Sequence, residues 1–186
     1  MSKAIISVIV PAFNAEVSLR RTILSIQAQS LSDIEIIIVD DGSQDNTGAI
    51  ADELACADSR IVVIHQSNQG GYMARLNGLR LVSTKYFGFV DADDVVEPNM
   101  FESMVAIMEE YGLDVLQCGI CGRDVDCNQV DIYGISQYKQ MVVGEMLARG
   151  HVAPLVWNKV YLNRYDFRMA PELNLVSWDV SEGSNV

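Results

Sequence analysis

The sequence predicts an α/β protein with a mostly parallel, Rossmann-like sheet that is covered by helices on both faces. Short runs of β-branched and apolar residues alternate four times with longer segments whose apolar residues recur at helical spacing. Strands that are joined by crossover helices in this way are typically parallel and buried. The segments after the strands are polar or turn-forming, and ligands of such sheets bind at the carboxyl ends of the strands.

Five segments are predicted to be strands because they are short, apolar and bounded by turn-forming residues. They comprise residues 4–10, 34–40, 60–65, 86–90 and 113–120. Pro11 ends the first strand, and Asp-rich segments follow the second and the fourth.

Four segments with apolar residues at helical spacing are predicted to be helices. They comprise residues 15–29, 48–57, 71–82 and 98–112. Either Asp45 or Asn46 is expected to cap the second helix. Pro98 is expected in the first turn of the fourth helix, and Gly112 is expected to end it.

The alternating pattern weakens after about residue 122, which divides the chain into an α/β core of residues 1–122 and a C-terminal part of residues 123–186. Within the C-terminal part we expect a helix at residues 136–150 and a short strand within residues 151–167. A length of 186 residues fits one domain, or one domain with an appendage.

Composition excludes several classes of protein. Hydrophobic residues make up 49% of the chain and charged residues 20%, which is typical of a folded domain with a sizeable core. The net charge of −12 argues against nucleic acid or an anionic membrane surface as a direct partner. No run approaches the ~18 apolar residues that span a bilayer, so we expect no transmembrane segment.

The four cysteines are Cys56, Cys118, Cys121 and Cys127. Cys118 and Cys121 have the CxxC spacing of a redox or zinc site, but no second pair completes a zinc set. We interpret all four as reduced thiols, which suit a reducing compartment. The expected location is the cytoplasm, including the inner face of the membrane.

Asp91, Asp93 and Asp94 crowd the end of the fourth strand. In an extended segment Asp91 and Asp93 would face the same side, roughly 6–7 Å apart. Two such carboxylates repel unless a cation intervenes, and Mg²⁺ or Mn²⁺ bound to a diphosphate would meet that need. The alternative is a solvated turn and helix cap. Asp94 could face the following helix as the cap.

A second acidic strand end, the segment VDDGS at residues 39–43, favours a binding site. A carboxylate beside a pocket can accept hydrogen bonds from a base or from ribose hydroxyls. An Asp-Gly turn is the alternative. The two histidines, His65 and His151, are interpreted as structural or solvent-facing residues.

Several motifs, in order and with matching spacing, resemble those of family 2 glycosyltransferases of the GT-A fold. They are SVIVPAFNAEVSLRRTILSIQAQSLSDIEIIIVDDGSQDNT, then GYMARLNGL, then YFGFVDADDVVEPNMFE, and they cover about residues 4–120. The segment VWNKVY at residues 156–161 is similar to one in bacterial members that build surface polysaccharides.

The resemblance implies a nucleotide-diphosphate sugar as donor, most commonly a UDP-sugar, Mg²⁺ or Mn²⁺ as cofactor, and inversion at the anomeric carbon. A saccharide or a lipid-linked acceptor is implied in the same way, and the oligomeric state stays open, with a homodimer as one candidate. By position, the residues implied at the nucleotide site are Pro11, Ala12, Phe13, Asn14, Glu16, Asp41, Arg75, Asp91 and Ala92.

Some of these positions have more specific implied roles. Glu16 would lie near the ribose and Asp41 would contact the base, while Asp91 and Asp93 match the metal-binding DxD motif with Asp93 as the direct ligand. The familiar order after the arginine is Arg-Asn-x-Gly, whereas here Leu76 precedes Asn77. This departure leaves Asn77 without an implied role.

The general base of similar proteins is an Asp late in the domain, and Asp179 in LVSWDVSEGS is the best match. Trp178 replaces the usual Glu, and Glu182 is a second candidate. The alternative for both carboxylates is a charged tail. Relatives generally continue beyond this point, so we expect a truncated chain that lacks part of the acceptor site.

Two other functions fit the same strand and helix pattern. One is a flavodoxin-like receiver or binding module, although a receiver would have its acidic pair after the first strand, where this chain has Pro11 and Asn14. The other is a GT-A module that binds nucleotide without turnover.

Overall fold

The computed structural model describes residues 4–118 and 158–163. In this part of the chain, six strands form one sheet and four helices pack against it. The elements in chain order are β1 (Ile6–Ala12), α1 (Leu19–Gln27), β2 (Ile34–Asp40), α2 (Thr47–Ala57), β3 (Ile61–His65), α3 (Gly71–Leu79), β4 (Tyr86–Phe89), α4 (Met100–Tyr111), β5 (Val115–Gln117) and β6 (Lys159–Leu162).

The sheet is mostly parallel, as predicted, with the strand order β3-β2-β1-β4-β6-β5. The pairs β3–β2, β2–β1 and β1–β4 are parallel, whereas β6 is antiparallel to both β4 and β5. A strand that is distant in sequence therefore separates β4 from β5. The carboxyl ends of β2, β1 and β4 lie side by side at one edge of the sheet, which is where a ligand site of such a fold is expected.

Both faces of the sheet are buried, which confirms that helices cover both sides. Alternate residues of a strand point to opposite faces, so Ile36 and Ile38 of β2 pack with α1, α2 and α4. Ile37 and Val39 pack on the other face with Ala74 of α3. The near-continuous apolar sequence of β2 follows from this burial on two sides.

The described elements differ from the predictions mainly at their ends. β1 begins and ends two residues later than predicted and includes Pro11, which pairs with Val39 of β2. Proline is tolerated there because β4 pairs only with residues 6–9 of β1, so no strand on that side needs the missing N–H of Pro11. α1 and α3 are shorter than predicted by several residues.

One helix-end prediction is wrong and two are confirmed. Pro98 lies before α4, which begins at Met100. Asn46 occupies the N-cap position of α2 without a side-chain bond, while Asp45 accepts the main-chain N–H of Thr47. Gly112 ends α4 in the left-handed conformation with φ of +60°, which glycine adopts at little cost.

Several predictions fall outside the described residues. They are the helix at residues 136–150, Cys121, Cys127, His151, Asp179 and Glu182. The predicted short strand within residues 151–167 corresponds to β6. No helix of the described residues has the length and apolarity to span a membrane.

Candidate functional site

A cavity of about 630 Å³ lies at the carboxyl ends of β1, β2 and β4. These three strands are neighbours and parallel, so the segments that follow them converge on one place. Nine predicted site residues line the cavity: Pro11, Ala12, Phe13, Asn14, Asp41, Arg75, Asp91, Ala92 and Asp93. The polar strand ends that the sequence pattern indicated therefore converge on one cavity, and the roles of their residues in binding stay predictions.

Six further residues line the cavity without having been identified as site residues from the sequence. They are Ala15, Ser18, Asn68, Gly70, Gly71 and Ala74. The segment NQGG, which interrupts the chain between β3 and α3, was the signal that could have identified three of them. Small residues at the start of α3 leave room for a ligand to approach the main chain.

Glu16 is the one predicted nucleotide residue that does not line the cavity. Its carboxylate accepts hydrogen bonds from the main-chain N–H of Asn46 at 3.0 Å and from the Asn46 side chain at 2.8 Å. Glu16 thus connects the segment after β1 to the start of α2. Its role near the ribose stays a prediction.

Asp41 is buried, with 1% of its surface exposed, and is not part of a solvated turn. Its Oδ1 accepts hydrogen bonds from Gln66 Nε2 at 2.7 Å and from the main-chain N–H of Gln69 at 2.9 Å. Its Oδ2 accepts the main-chain N–H of Gly70 at 2.8 Å. Asp41 therefore holds the segment before α3 in place.

The segments after β2 and β3 approach each other closely beside Asp41. Gly42 has a φ of +71°, and a Cβ at this position would lie 2.6 Å from the main-chain nitrogen of Asn68. Such a contact is too close for any side chain, and other residues rarely adopt this positive φ. Glycine is required at position 42 for both reasons.

Arg75 forms an ion pair with Asp91, in which its NH2 group donates to Asp91 Oδ1. This pair corrects the expectation that a metal ion is needed to relieve the acidic cluster, because a cation of the same chain already neutralises Asp91. Each side chain is 28% exposed, so the pair lies at the wall of the cavity rather than in the core. The Nε atom of Arg75 is buried and has no hydrogen-bond partner in the described part of the chain.

The rest of the acidic cluster differs from Asp91 in its environment. The side chain of Asp93 forms no hydrogen bond with the described residues, although its main-chain oxygen accepts a hydrogen bond from Arg21. Burial, followed by the charges of Asp93 and Asp91, raises the pKa of Asp94. Among residues 4–118 and 158–163, no group of three His, Cys, Asp or Glu side chains is arranged to hold a metal ion.

His65 lies at the end of β3 and does not line the cavity. Its Nδ1 is 3.0 Å from Asp40 Oδ2, and its Nε2 is 3.1 Å from Asp52 Oδ1 of α2. These two hydrogen bonds, with Asp40 the larger cause, raise the pKa of His65. Burial opposes ionisation of Asp40, but hydrogen bonds from Ser43 and His65 lower its pKa below the ordinary value.

The sheet order and the position of the cavity define the GT-A fold that the sequence predicts. The structure is similar to that of S. aureus TarS in complex with UDP, with a TM-score of 0.65, 24% identity, and coverage of 84% of this chain and 46% of that chain. It is also similar to a mannosyltransferase of Pyrobaculum calidifontis in complex with GDP-Man and Mn²⁺, with a TM-score of 0.59, 19% identity, and coverage of 66% and 37%.

The sequence model of glycosyl transferase family 2 matches residues 7–156, and the chain belongs to this family. The uncharacterized glycosyltransferase EpsJ of Bacillus subtilis is 37% identical over 88% of this chain and 48% of its own length. The glycosyltransferase GlyG of Streptococcus pneumoniae is 40% identical over 60% of this chain and 38% of its own length. The chain thus spans about half, or less, of the length of these relatives.

Proposed function

We propose that this chain transfers a sugar from a nucleotide-diphosphate donor, a UDP-sugar, to a hydroxyl group of a saccharide or lipid-linked acceptor, with inversion and with assistance from a divalent metal. The observation that carries the proposal is the cavity at the carboxyl edge of the sheet, where Asp41, Arg75, Asp91 and Asp93 converge in a chain of family 2. The family membership also argues against the receiver-like alternative.

The hydrogen bonds of Asp41 support uracil as the base of the donor. A carboxylate offers about four lone-pair positions, and three of those on Asp41 are already used by Gln66, Gln69 and Gly70. One position on Oδ2 is left, which suits the single N3–H of uracil. Guanine presents N–H groups from two adjacent nitrogens, and the pairing edge of cytosine has an acceptor at N3.

Arg75 supplies the complementary donor for such a base. Uracil carries a carbonyl oxygen on each side of its N3–H, and the side chain of Arg75, which is 28% exposed, lines the same cavity. A guanidinium group can only donate hydrogen bonds, and a carbonyl oxygen of the base would accept one. Asp41 and Arg75 together offer an acceptor and a donor, which match the N3–H and one carbonyl oxygen of uracil.

Asp93 and Asp91 fit a divalent ion that is shared with the diphosphate. Mg²⁺ takes only one or two protein carboxylates and completes its coordination with water and phosphate oxygens. Asp93 fits this role because its carboxylate lines the cavity and is not engaged by described residues, and the second oxygen of Asp91 is the next candidate. When bound, the ion would neutralise charge on the departing diphosphate.

The proposed reaction needs a base on the side opposite the diphosphate. The acceptor oxygen forms a bond to the anomeric carbon while the bond from that carbon to the diphosphate breaks, and Asp179 takes the hydroxyl proton. The acceptor and the base are proposals from the family resemblance alone, and a homodimer is one candidate for the oligomeric state. Cys56 and Cys118 are free thiols in the described residues, which supports a reducing, cytoplasmic location.

Calorimetry on the whole chain with UDP, GDP and CDP, each with and without Mn²⁺, tests the donor and the metal. We expect UDP to bind most tightly and Mn²⁺ to strengthen its binding. Equal heats with and without Mn²⁺ would contradict metal assistance, and preference for GDP would contradict the uracil assignment.

A transfer assay with UDP-sugars and a panel of saccharide acceptors separates turnover from binding alone. Transfer that is lost in Asp179→Asn, with UDP binding retained, supports the assigned base. UDP binding without any transfer would favour the nucleotide-binding module without turnover.

A further inference from the structure

We propose that Gln66, Asn77 and Arg80 form a hydrogen-bond relay that fixes the carboxylate of Asp41 for recognition of the donor base. The inference rests on the proposed function, because it assigns positioning residues to the same nucleotide site. None of the three residues lines the cavity, so each acts through Asp41 rather than by touching the base.

The relay consists of three short hydrogen bonds. Arg80 NH1 donates to Asn77 Oδ1 at 2.7 Å, Asn77 Nδ2 donates to Gln66 Oε1 at 2.6 Å, and Gln66 Nε2 donates to Asp41 Oδ1 at 2.7 Å. It links the end of α3 to the segments that follow β3 and β2. Three separate elements therefore determine where the Asp41 carboxylate points.

The direction of every hydrogen bond in the relay is determined by its two ends. A guanidinium group can only donate and a carboxylate can only accept. Arg80 thus requires the oxygen of Asn77, which leaves the Asn77 amide N–H groups for Gln66. The Gln66 oxygen is then occupied, so its N–H group faces Asp41. Neither amide can turn over without placing two acceptors against each other.

Close packing of α3 on the sheet holds Asn77 and Arg80 at a fixed position relative to Asp41. A Cβ at Gly78 would lie 2.5 Å from Ile9 Cγ2, so the helix backbone approaches β1 directly beside Asn77. Leu76 is buried with 8% of its surface exposed, whereas Asn77 is partly exposed and its amide meets Gln66 and Arg80. The departure from Arg-Asn-x-Gly thus places an amide where it reaches Gln66.

The consequence for binding is that Oδ1 of Asp41 is fully used and cannot rotate toward the ligand. Only the remaining position on Oδ2 can accept a hydrogen bond from a base. The relay therefore limits Asp41 to one ligand N–H and contributes to the discrimination between bases.

Asn77→Asp is the sharpest test because it keeps the bond to Arg80 but removes the donor toward Gln66. Gln66 must then either lose its partner or turn its own oxygen toward Asp41. We expect UDP affinity, measured by calorimetry on the whole chain, to fall about tenfold, which corresponds to the loss of one hydrogen bond to a charged group. We expect Gln66→Ala to cause a similar fall and to reduce the preference for UDP over GDP.

The matched control is Gln27→Ala. Gln27 also donates an amide N–H to an aspartate, Asp58, at 2.8 Å, but it lies at the end of α1 and outside the cavity. UDP affinity in this variant should stay unchanged. If Gln27→Ala and Asn77→Asp lowered the UDP affinity equally, in proportion to their loss of unfolding free energy, the fall would reflect general destabilisation. That result would overturn the inference.

Hydrogen exchange provides a readout that does not depend on nucleotide. The main-chain N–H groups of Gln69 and Gly70 donate to Asp41, so they should exchange faster in Gln66→Ala and Asn77→Asp but not in Gln27→Ala. Unchanged exchange and unchanged UDP affinity in Asn77→Asp would overturn the relay alone. A wild-type chain that binds no uridine nucleotide would overturn the proposed function and the relay's role in base recognition.

Discussion

The ion pair between Arg75 and Asp91 gives one carboxylate of the acidic cluster a different environment from the others. The pair neutralises one carboxylate of the cluster, and Asp93 is left as the carboxylate that faces the cavity without a partner in the described residues. Asp94 lies outside the cavity lining, and burial raises its pKa. The three acidic residues of the cluster therefore have three different environments.

Asp93→Asn tests this difference at the scale of one residue. Removing the charge should abolish the strengthening of UDP binding by Mn²⁺, because a neutral amide lacks the negative charge of the carboxylate that would bind the ion. Thermal unfolding should be little changed, since the Asp93 side chain makes no hydrogen bond with the described residues. Calorimetry with and without Mn²⁺ measures the first effect.

Asp94→Asn is the matched control for Asp93→Asn. It removes the same charge one position away, at a carboxyl group whose burial already disfavours the ionised form. Metal-dependent UDP binding should survive this change. Equal loss in both variants would mean that the cluster acts only through its total charge.

At the scale of elements, α3 determines much of the site. Its first residues line the cavity, Arg75 reaches Asp91, and Asn77 reaches Gln66. The helix can serve all three purposes because it packs unusually close to β1 and β2. A Cβ at Gly78 would lie 2.5 Å from Ile9 Cγ2 and 3.1 Å from Val39 Cγ2.

Gly78→Ala tests the close approach of α3 to the sheet. The sign of its effect on the free energy of unfolding shows whether the added methyl group has room. In an exposed helix, replacing glycine with alanine stabilises by about 1 kcal/mol through helix propensity. Here we expect destabilisation instead, by about 1–3 kcal/mol, because the added methyl group overpacks the contact with Ile9. Urea unfolding measures the free energy of unfolding.

Ser103→Ala in α4 provides the control for Gly78→Ala. Ser103 is exposed, and the change raises helix propensity without a new contact. It should leave stability unchanged or slightly higher. Stabilisation by Gly78→Ala would show that α3 can move away from the sheet at little cost.

At the scale of the whole molecule, His65 makes stability depend on pH because it joins β2, β3 and α2. Its pKa is raised above the ordinary 6.5, first by Asp40 and then by Asp52. The folded protein thus binds this proton more tightly than the unfolded chain. The stabilisation is complete below pH 6.5 and is lost as pH rises through the folded pKa.

His65→Gln should remove this pH dependence. The difference in free energy of unfolding between the wild type and the variant should shrink between about pH 5.5 and pH 8, measured by urea unfolding. The side chain is 47% exposed, so solvent screening keeps the effect small. Lys85→Gln breaks an exposed pair with Glu109 that does not titrate in this range, and its effect should be constant across the same pH values.

The fold was predictable from the sequence because its signals are local. The apolar runs of β1 and β2, and the stripes of the helices, lie within contiguous segments. Nine of the fifteen residues that line the cavity followed as well, since the carboxyl ends of neighbouring parallel strands must meet at one edge. Asp91 and Asp93 of the DxD motif also line the cavity, and their metal-binding role stays a prediction.

Partners that are distant in the chain were decided only by tertiary structure. The sequence did not indicate that β6 pairs between β4 and β5, that Arg75 neutralises Asp91, or that Gln66 joins Asp41 to Asn77. Periodicity describes which face of its own element a residue occupies, and it carries no information on which side chains meet across elements. Contacts between elements depend on how closely α3 packs on the sheet and on which charged or hydrogen-bonding groups lie within reach of each long side chain.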